Sequence, residues 1–167
     1  LHALPADTLT FGITAADVGR GAVVRDLSVT GACFHGVNTR AGSPTLVNLE
    51  IHTDLVGASS TAADFRDGSD PLVEGCVFDG GHSALFVEFG SRGTFTGCVI
   101  AGRPNDGVSI TRADPVFLDC TFESAGRDVV VLNGGSLPVF DGDPLFTGPS
   151  GRVYAAYYDR VVFNLEA

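Results

Sequence analysis

Apolar and polar positions alternate along this chain in short runs that return every 22 residues. Between Pro71 and Asn133 the run is written three times: Pro71-Leu72-Val73-Glu74-Gly75-Cys76-Val77-Phe78, Gly93-Thr94-Phe95-Thr96-Gly97-Cys98-Val99-Ile100 and Pro115-Val116-Phe117-Leu118-Asp119-Cys120-Thr121-Phe122. Carried outwards, the register gives three columns. They are Val24, Leu46, Val73, Phe95, Phe117, Val139; Leu27, Leu49, Cys76, Cys98, Cys120, Gly142; and Val29, Ile51, Phe78, Ile100, Phe122, Pro144. Each column steps by 22, 27, 22, 22 and 22 residues, so the chain holds six repeats. The Leu-x-x-Leu-x-Leu frame of a leucine-rich repeat is missing, and so is the 3.6-residue periodicity of a helical one.

What fits is an all-β solenoid, a single-stranded right-handed parallel β-helix of about six coils with terminal caps, in which equivalent side chains stack at about 4.8 Å. Within a coil Val73 and Cys76 are three apart and Cys76 and Phe78 two apart, which requires a corner between two short strands. The residue before the second column supplies it: Asp26, Asn48, Gly75, Gly97, Asp119 and Asp141, all types that tolerate left-handed backbone geometry. A further strand follows in each coil, as His35-Gly36-Val37-Asn38-Thr39, Ala84-Leu85-Phe86-Val87, Val108-Ser109-Ile110 and Val129-Val130-Val131-Leu132. Phe86, Val108 and Val130 form its inward column, with room for a slip of one at Phe86.

These repeats resemble the right-handed β-helix superfamily of pectate lyases and polygalacturonases, and most closely the short-coil repeats of carbohydrate-binding and sugar-hydrolysis domains and of substrate-recognition domains in some F-box proteins. The resemblance covers residues 23 to 150 and rests on core and corner positions, so it implies fold rather than activity. Asn105-Asp106-Gly107 resembles the Asn-Thr-Asp element of polygalacturonases, and Gly81-His82-Ser83 is distantly similar to their Gly-His-Gly. Here the histidine precedes the aspartate, a second Asp-Asp element is missing, and the closing Arg-Ile-Lys cannot exist in a chain without lysine. That catalytic set does not carry over.

Residues 1–20 read as an N-terminal cap, with Leu9 to Thr14 alternating like a strand and Ala15 to Gly19 as one helical turn; the alternative is an incomplete coil. Residues 21–151 are the coils and 152–167 a C-terminal cap, its Val161 falling 22 after Val139. The only insertion, five residues, is placed within Val56 to Thr61, a loop suited to wall a groove. Gly142 and Pro144 close the interior at the sixth coil.

A net charge of -10, with all ten basic residues arginine, argues against nucleic acid and against polygalacturonate. No apolar stretch approaches the roughly 20 residues of a membrane span. The chain begins at Leu1 without a leader pattern and reads as a fragment of a longer protein. Three of its four cysteines share a column, where free thiols pack as small apolar groups and lean towards a cytoplasmic setting.

Candidate chemistry gathers in coils three to five. Asp106 and Asp128 are 22 apart. Stacking sets their carboxylates about 5 Å apart, the separation found in retaining glycosidases and one that also suits calcium with nearby carbonyls. Arg103 and Arg127 lie in the turns ahead of them, with Glu123 nearby, and His82 sits in a Gly-Gly-His-Ser turn where it can act as a base. The plain alternatives are turn aspartates, surface ion pairs and a solvated histidine. Serine elbows, phosphate loops and zinc motifs are missing. These observations predict a non-catalytic recognition or scaffold module, without a required cofactor, binding a protein or glycan along its strand face. The alternatives are a small hydrolase or lyase using the stacked acids, and a structural spacer.

Overall fold

The structure, a computed structural model, describes residues 11–31, 34–54, 60–102, 105–124, 126–148, 153–155 and 162–165. Every regular element among them is a strand, and every pairing is parallel. The chain winds as a parallel β-solenoid of about six turns. One sheet has seven strands in chain order, one per coil: Phe11–Ala16, His35–Arg40, Thr61–Arg66, Ser83–Glu88, Asp106–Thr111, Val130–Asn133 and Val153–Ala155. The other has eleven, because Val23–Gly31 and Thr45–Thr53 run unbroken through the first corner, whereas later coils split there into two strands.

The corner is as the residue types predict: φ is 55° at Asp26, 51° at Asn48, 58° at Gly75, 59° at Gly97 and 52° at Asp119. A second corner of the same kind follows the seven-stranded sheet, at Asp17, Ala41, Asp67, Phe89, Arg112 and Gly134. Sequence did not point to it, because Ala, Phe and Arg are not turn-formers. Asp17 at φ 54° ends a strand that includes Ala15 and Ala16, which replaces the expected helical turn.

The core is the inside of the coil. Leu46, Val73, Phe95 and Phe117 form one column, and Ile51, Phe78, Ile100 and Phe122 another, all without solvent exposure. In the sixth coil the register departs from 22. Phe140 rather than Val139 stands opposite Phe117, and Phe146 rather than Pro144 opposite Phe122. The left-handed corner there is Gly142, φ 76°, and not Asp141. One extra residue lies in the turn before Val139 and another between Phe140 and Phe146. The shift keeps aromatic rings inside: Phe117 and Phe140 stack at 5.3 Å, and Phe122 and Phe146 at 5.1 Å. So the core is carried on by stacked rings rather than closed by Gly142 and Pro144. Strand Val162–Leu165 pairs with Val139–Gly142, setting Val162 opposite Val139.

Cys76, Cys98 and Cys120 are free and buried. Their thiols reach the carbonyls of Leu46, Val73 and Phe95, each one coil back, at 3.7, 3.7 and 3.4 Å. A small apolar side chain with a weak donor suits a column beside a strand end, where a carbonyl would otherwise lose its partner.

Candidate binding face

Phe86 points outwards. The strand Ser83–Glu88 is set so that Leu85, fully buried, stands opposite Val108, because the turn 103–105 of the next coil holds one residue more than its counterpart. The slip moves Phe86 to the outer face of the seven-stranded sheet, in the row Asn38, Asp64, Phe86, Ser109, Val131. Two cavities lie on that face, of about 410 and 450 Å³, and Phe86 lines both. Aromatic surface is therefore present on this face in the middle of the coils.

The cavity of coils three to five collects most of the sequence candidates: His82, Asn105, Asp106, Arg127 and Asp128 all line it. Arg127 forks onto Asp106, Nη2 to Oδ2 at 3.1 Å and Nε to Oδ1 at 3.3 Å. Asn105 Nδ2 donates to Asp106 Oδ2 at 2.9 Å and lies 2.9 Å from His82 Nε2. The backbone N–H of Asp128 donates to Asp106 Oδ1 at 3.3 Å. Asp106 thus ties two coils together with a carboxylate whose lone pairs are taken, while the Arg127 side chain stays 62 % exposed. Arg103 lies outside the described residues, as do residues 55–59 of the inserted loop. Ladder register confirms that the extra residues fall between Thr53 and Thr61, since Thr53 pairs with Gly80 but Thr61 with Ser83.

The cavity of coils one to three is the part that sequence reasoning missed. It is lined by Phe11, Phe34, His35, Arg40, Arg66, Phe86, Glu88 and Phe89. Behind it lies Asp64, 0 % exposed, paired with Arg66 Nη2 and 3.4 Å from His35 Nε2. Glu88 Oε2 is 3.7 Å from the same Arg66 nitrogen. Burial pushes Asp64 up to about 6, only partly opposed by Arg66. Burial, and then the fields of Arg66 and Arg40, push His35 down to about 4. His35 therefore faces Asp64 as a neutral ring rather than as a cation.

Four buried atoms here have no hydrogen-bond partner among the described residues: His35 Nδ1, Asn38 Oδ1, Asp64 Oδ1 and Arg66 Nε. Asn38 and Asp64 are opposite each other in the ladder. A proton on Asp64 supplies the donor that two facing acceptors lack. The rim carries strain as well. Phe89 holds φ 55°, which in a bulky L-residue costs about 1–2 kcal/mol, and Arg112 sits over its ring at 4.8 Å. One sequence signal was available: Ala62-Ala63-Asp64-Phe65-Arg66 alternates small or apolar with charged residues, placing Asp64 and Arg66 on one face of a strand.

Among the described residues no group of three or more His, Cys, Asp or Glu side chains is arranged to hold a metal ion. The family model described as the right handed beta helix region matches residues 11–156. No curated protein and no solved structure matches the chain.

Proposed function

Because the chain belongs to the right-handed β-helix family, its strand faces are rigid ladders, and we propose that the outer face of the seven-stranded sheet is a glycan-recognition surface, the chain serving as a binding module of a larger protein. The observation that carries this reading is the position of Phe86, half-buried on the outer face between two cavities that also hold His, Asn, Asp and Arg side chains. A sugar ring has apolar C–H faces and hydroxyl edges, and an aromatic plate flanked by Asn, Asp, Arg and His answers both. Polar groups held by the ladder need little ordering on binding, which favours affinity from a shallow groove.

A glycan array probed with the whole chain, followed by titration calorimetry on the hits, tests it. Binding is expected, and Phe86→Ala should weaken it at least tenfold without moving the urea midpoint by more than a small fraction. An array without hits, or affinity indifferent to Phe86→Ala, removes the reading. One observation favours hydrolysis as a second reading: Asp64, pushed up to about 6, lies beside His35 on this same face. Turnover of a bound glycan that Asp64→Asn abolishes would promote it, whereas turnover lost on Asp106→Asn and Asp128→Asn would place the chemistry in coils three to five.

A further inference from the structure

The cavity of coils one to three differs from its neighbour in how its charges are set. Arg40 and Arg66 stand opposite each other on adjacent strands, an arrangement in which like charges repel. Arg66 is compensated by Asp64 and Glu88. Arg40 is exposed on the cavity wall and has no ion-pair partner among the described residues. After burial, the Arg66 and Arg40 guanidinium groups both lie close enough to oppose a proton on His35.

Apolar surface surrounds the charge. Phe11 and Phe89 are 44 % and 40 % exposed, and Phe34 and Phe86 complete the wall. Phe11 and His35 already stack at 5.5 Å, so the cavity offers a flat platform beside a cationic edge. A volume of about 450 Å³ suits one ring system and not a long chain.

We propose that this cavity is a site for a single carboxylate carried on a ring, the carboxylate held between Arg40 and Arg66 and the ring laid against the phenylalanines. Guanidinium groups match a planar carboxylate through paired N–H donors, and the exposed Arg40 lines the cavity. The net charge of -10 disfavours multiply charged ligands. One carboxylate answers to the local field instead. The ring is that of a sugar acid or of an aromatic acid, chemically alike at the carboxylate. The inference rests on the glycan reading only in taking this face as the working surface.

The test titrates the 167-residue chain with glucuronate, benzoate and glucose, followed by calorimetry and by NMR of the His35 ring and the Arg40 side chain. A carboxylate probe should bind, with affinity falling as salt rises, and Arg40→Gln should weaken it at least tenfold. Arg40 is exposed, so an unchanged urea midpoint for the variant certifies its fold. The His35 titration should move to higher pH when the carboxylate is bound. Binding of glucuronate alone supports the site with a sugar as carrier; binding of benzoate alone supports it with an aromatic carrier and confines glycan recognition to the neighbouring cavity. Glucose binding as well as glucuronate, affinity unmoved by Arg40→Gln, or no response to either carboxylate overturns the site. The glycan reading is judged separately by Phe86→Ala, which leaves Arg40 in place.

Discussion

Opposed titrations of His35 and Asp64 make a pH-dependence of stability that is hidden in the intact protein and exposed by removing either group. Asp64 is raised from 3.8 to about 6 in the fold. A raised carboxyl favours the protonated folded state, so its contribution is fully present below pH 3.8 and is lost as pH rises through 6. His35 is lowered from 6.5 to about 4. Its contribution is present above pH 6.5 and is lost as pH falls through 4. Each difference corresponds to about 3 kcal/mol, and neither group is screened by solvent to any extent. Between pH 4 and 6.5 the two slopes have opposite sign and cancel to within about 1 kcal/mol. Urea unfolding at half-unit pH steps should therefore show His35→Gln losing about 3 kcal/mol of stability across that window, relative to its own value at pH 4, while Asp64→Asn gains about as much. Contributions from Glu88, raised by burial, and Asp26, lowered first by the hydrogen bond from Asn48, are common to all three proteins and drop out of the differences. Variant profiles that run parallel to the parent between pH 4 and 6.5 would refute the argument.

Other substitutions probe the ladder. Phe117→Ala removes the ring that stacks on Phe95 and Phe140 and packs edge-on to Phe122, and should cost about 3–5 kcal/mol by chemical denaturation, since rigid neighbours cannot fill the gap. Asp106→Ala leaves the Asp128 N–H without this acceptor and should cost about 1–3 kcal/mol, whereas Arg127→Ala, mostly exposed, should cost less than about 1 kcal/mol. Burial, and for Cys98 first its hydrogen bond with Cys120, hold the Cys76 and Cys98 thiols above the ordinary range. Mass-mapped labelling with a disulfide reagent should find both unreactive in the folded protein and modified only in urea; rapid labelling in native buffer would contradict their packing.

The fold was legible because the interior of a solenoid imposes vertical constraint. Phe95 and Phe117 must both be apolar since each is the other's neighbour at stacking distance, 4.9 Å between ring centres, and the first left-handed corner holds Asp, Asn or Gly in every coil. Where the step departs from 22, the sequence carried no independent ruler. Val139 and Phe140 are equally acceptable as core residues, and only the length of the turn Gly134 to Pro138 decides between them. The same ambiguity turned Phe86 outwards in place of Leu85. The second corner was hidden for a different reason: Ala41, Phe89 and Arg112 take left-handed geometry against their own preference, so no turn residue marks it.

Of the two cavities, the one that sequence found owes its visibility to the 22-residue step between Asp106 and Asp128, and the one it missed lies across the insertion. Outward side chains answer to solvent and ligand rather than to the coil above, so an outer row such as Asn38, Asp64, Phe86, Ser109, Val131 has no common residue type to follow. His35, Asp64 and Arg66 are brought together only because the ladder absorbs the extra residues between Thr53 and Thr61 and then restores register at Thr61. That placement explains the chemistry as well. In a row of ordinary surface residues a carboxylate would be hydrated and acidic; roofed by Arg66 and backed by His35, Asp64 loses its water and holds its proton to about pH 6. Burial of a titratable group on the outside of a sheet destabilises the fold near neutral pH. Its presence beside an Arg40 without an ion-pair partner among the described residues, buried donors and acceptors likewise unpartnered among them, and a strained Phe89 marks this face, rather than the uniformly packed core, as where the molecule departs from what stability alone would select.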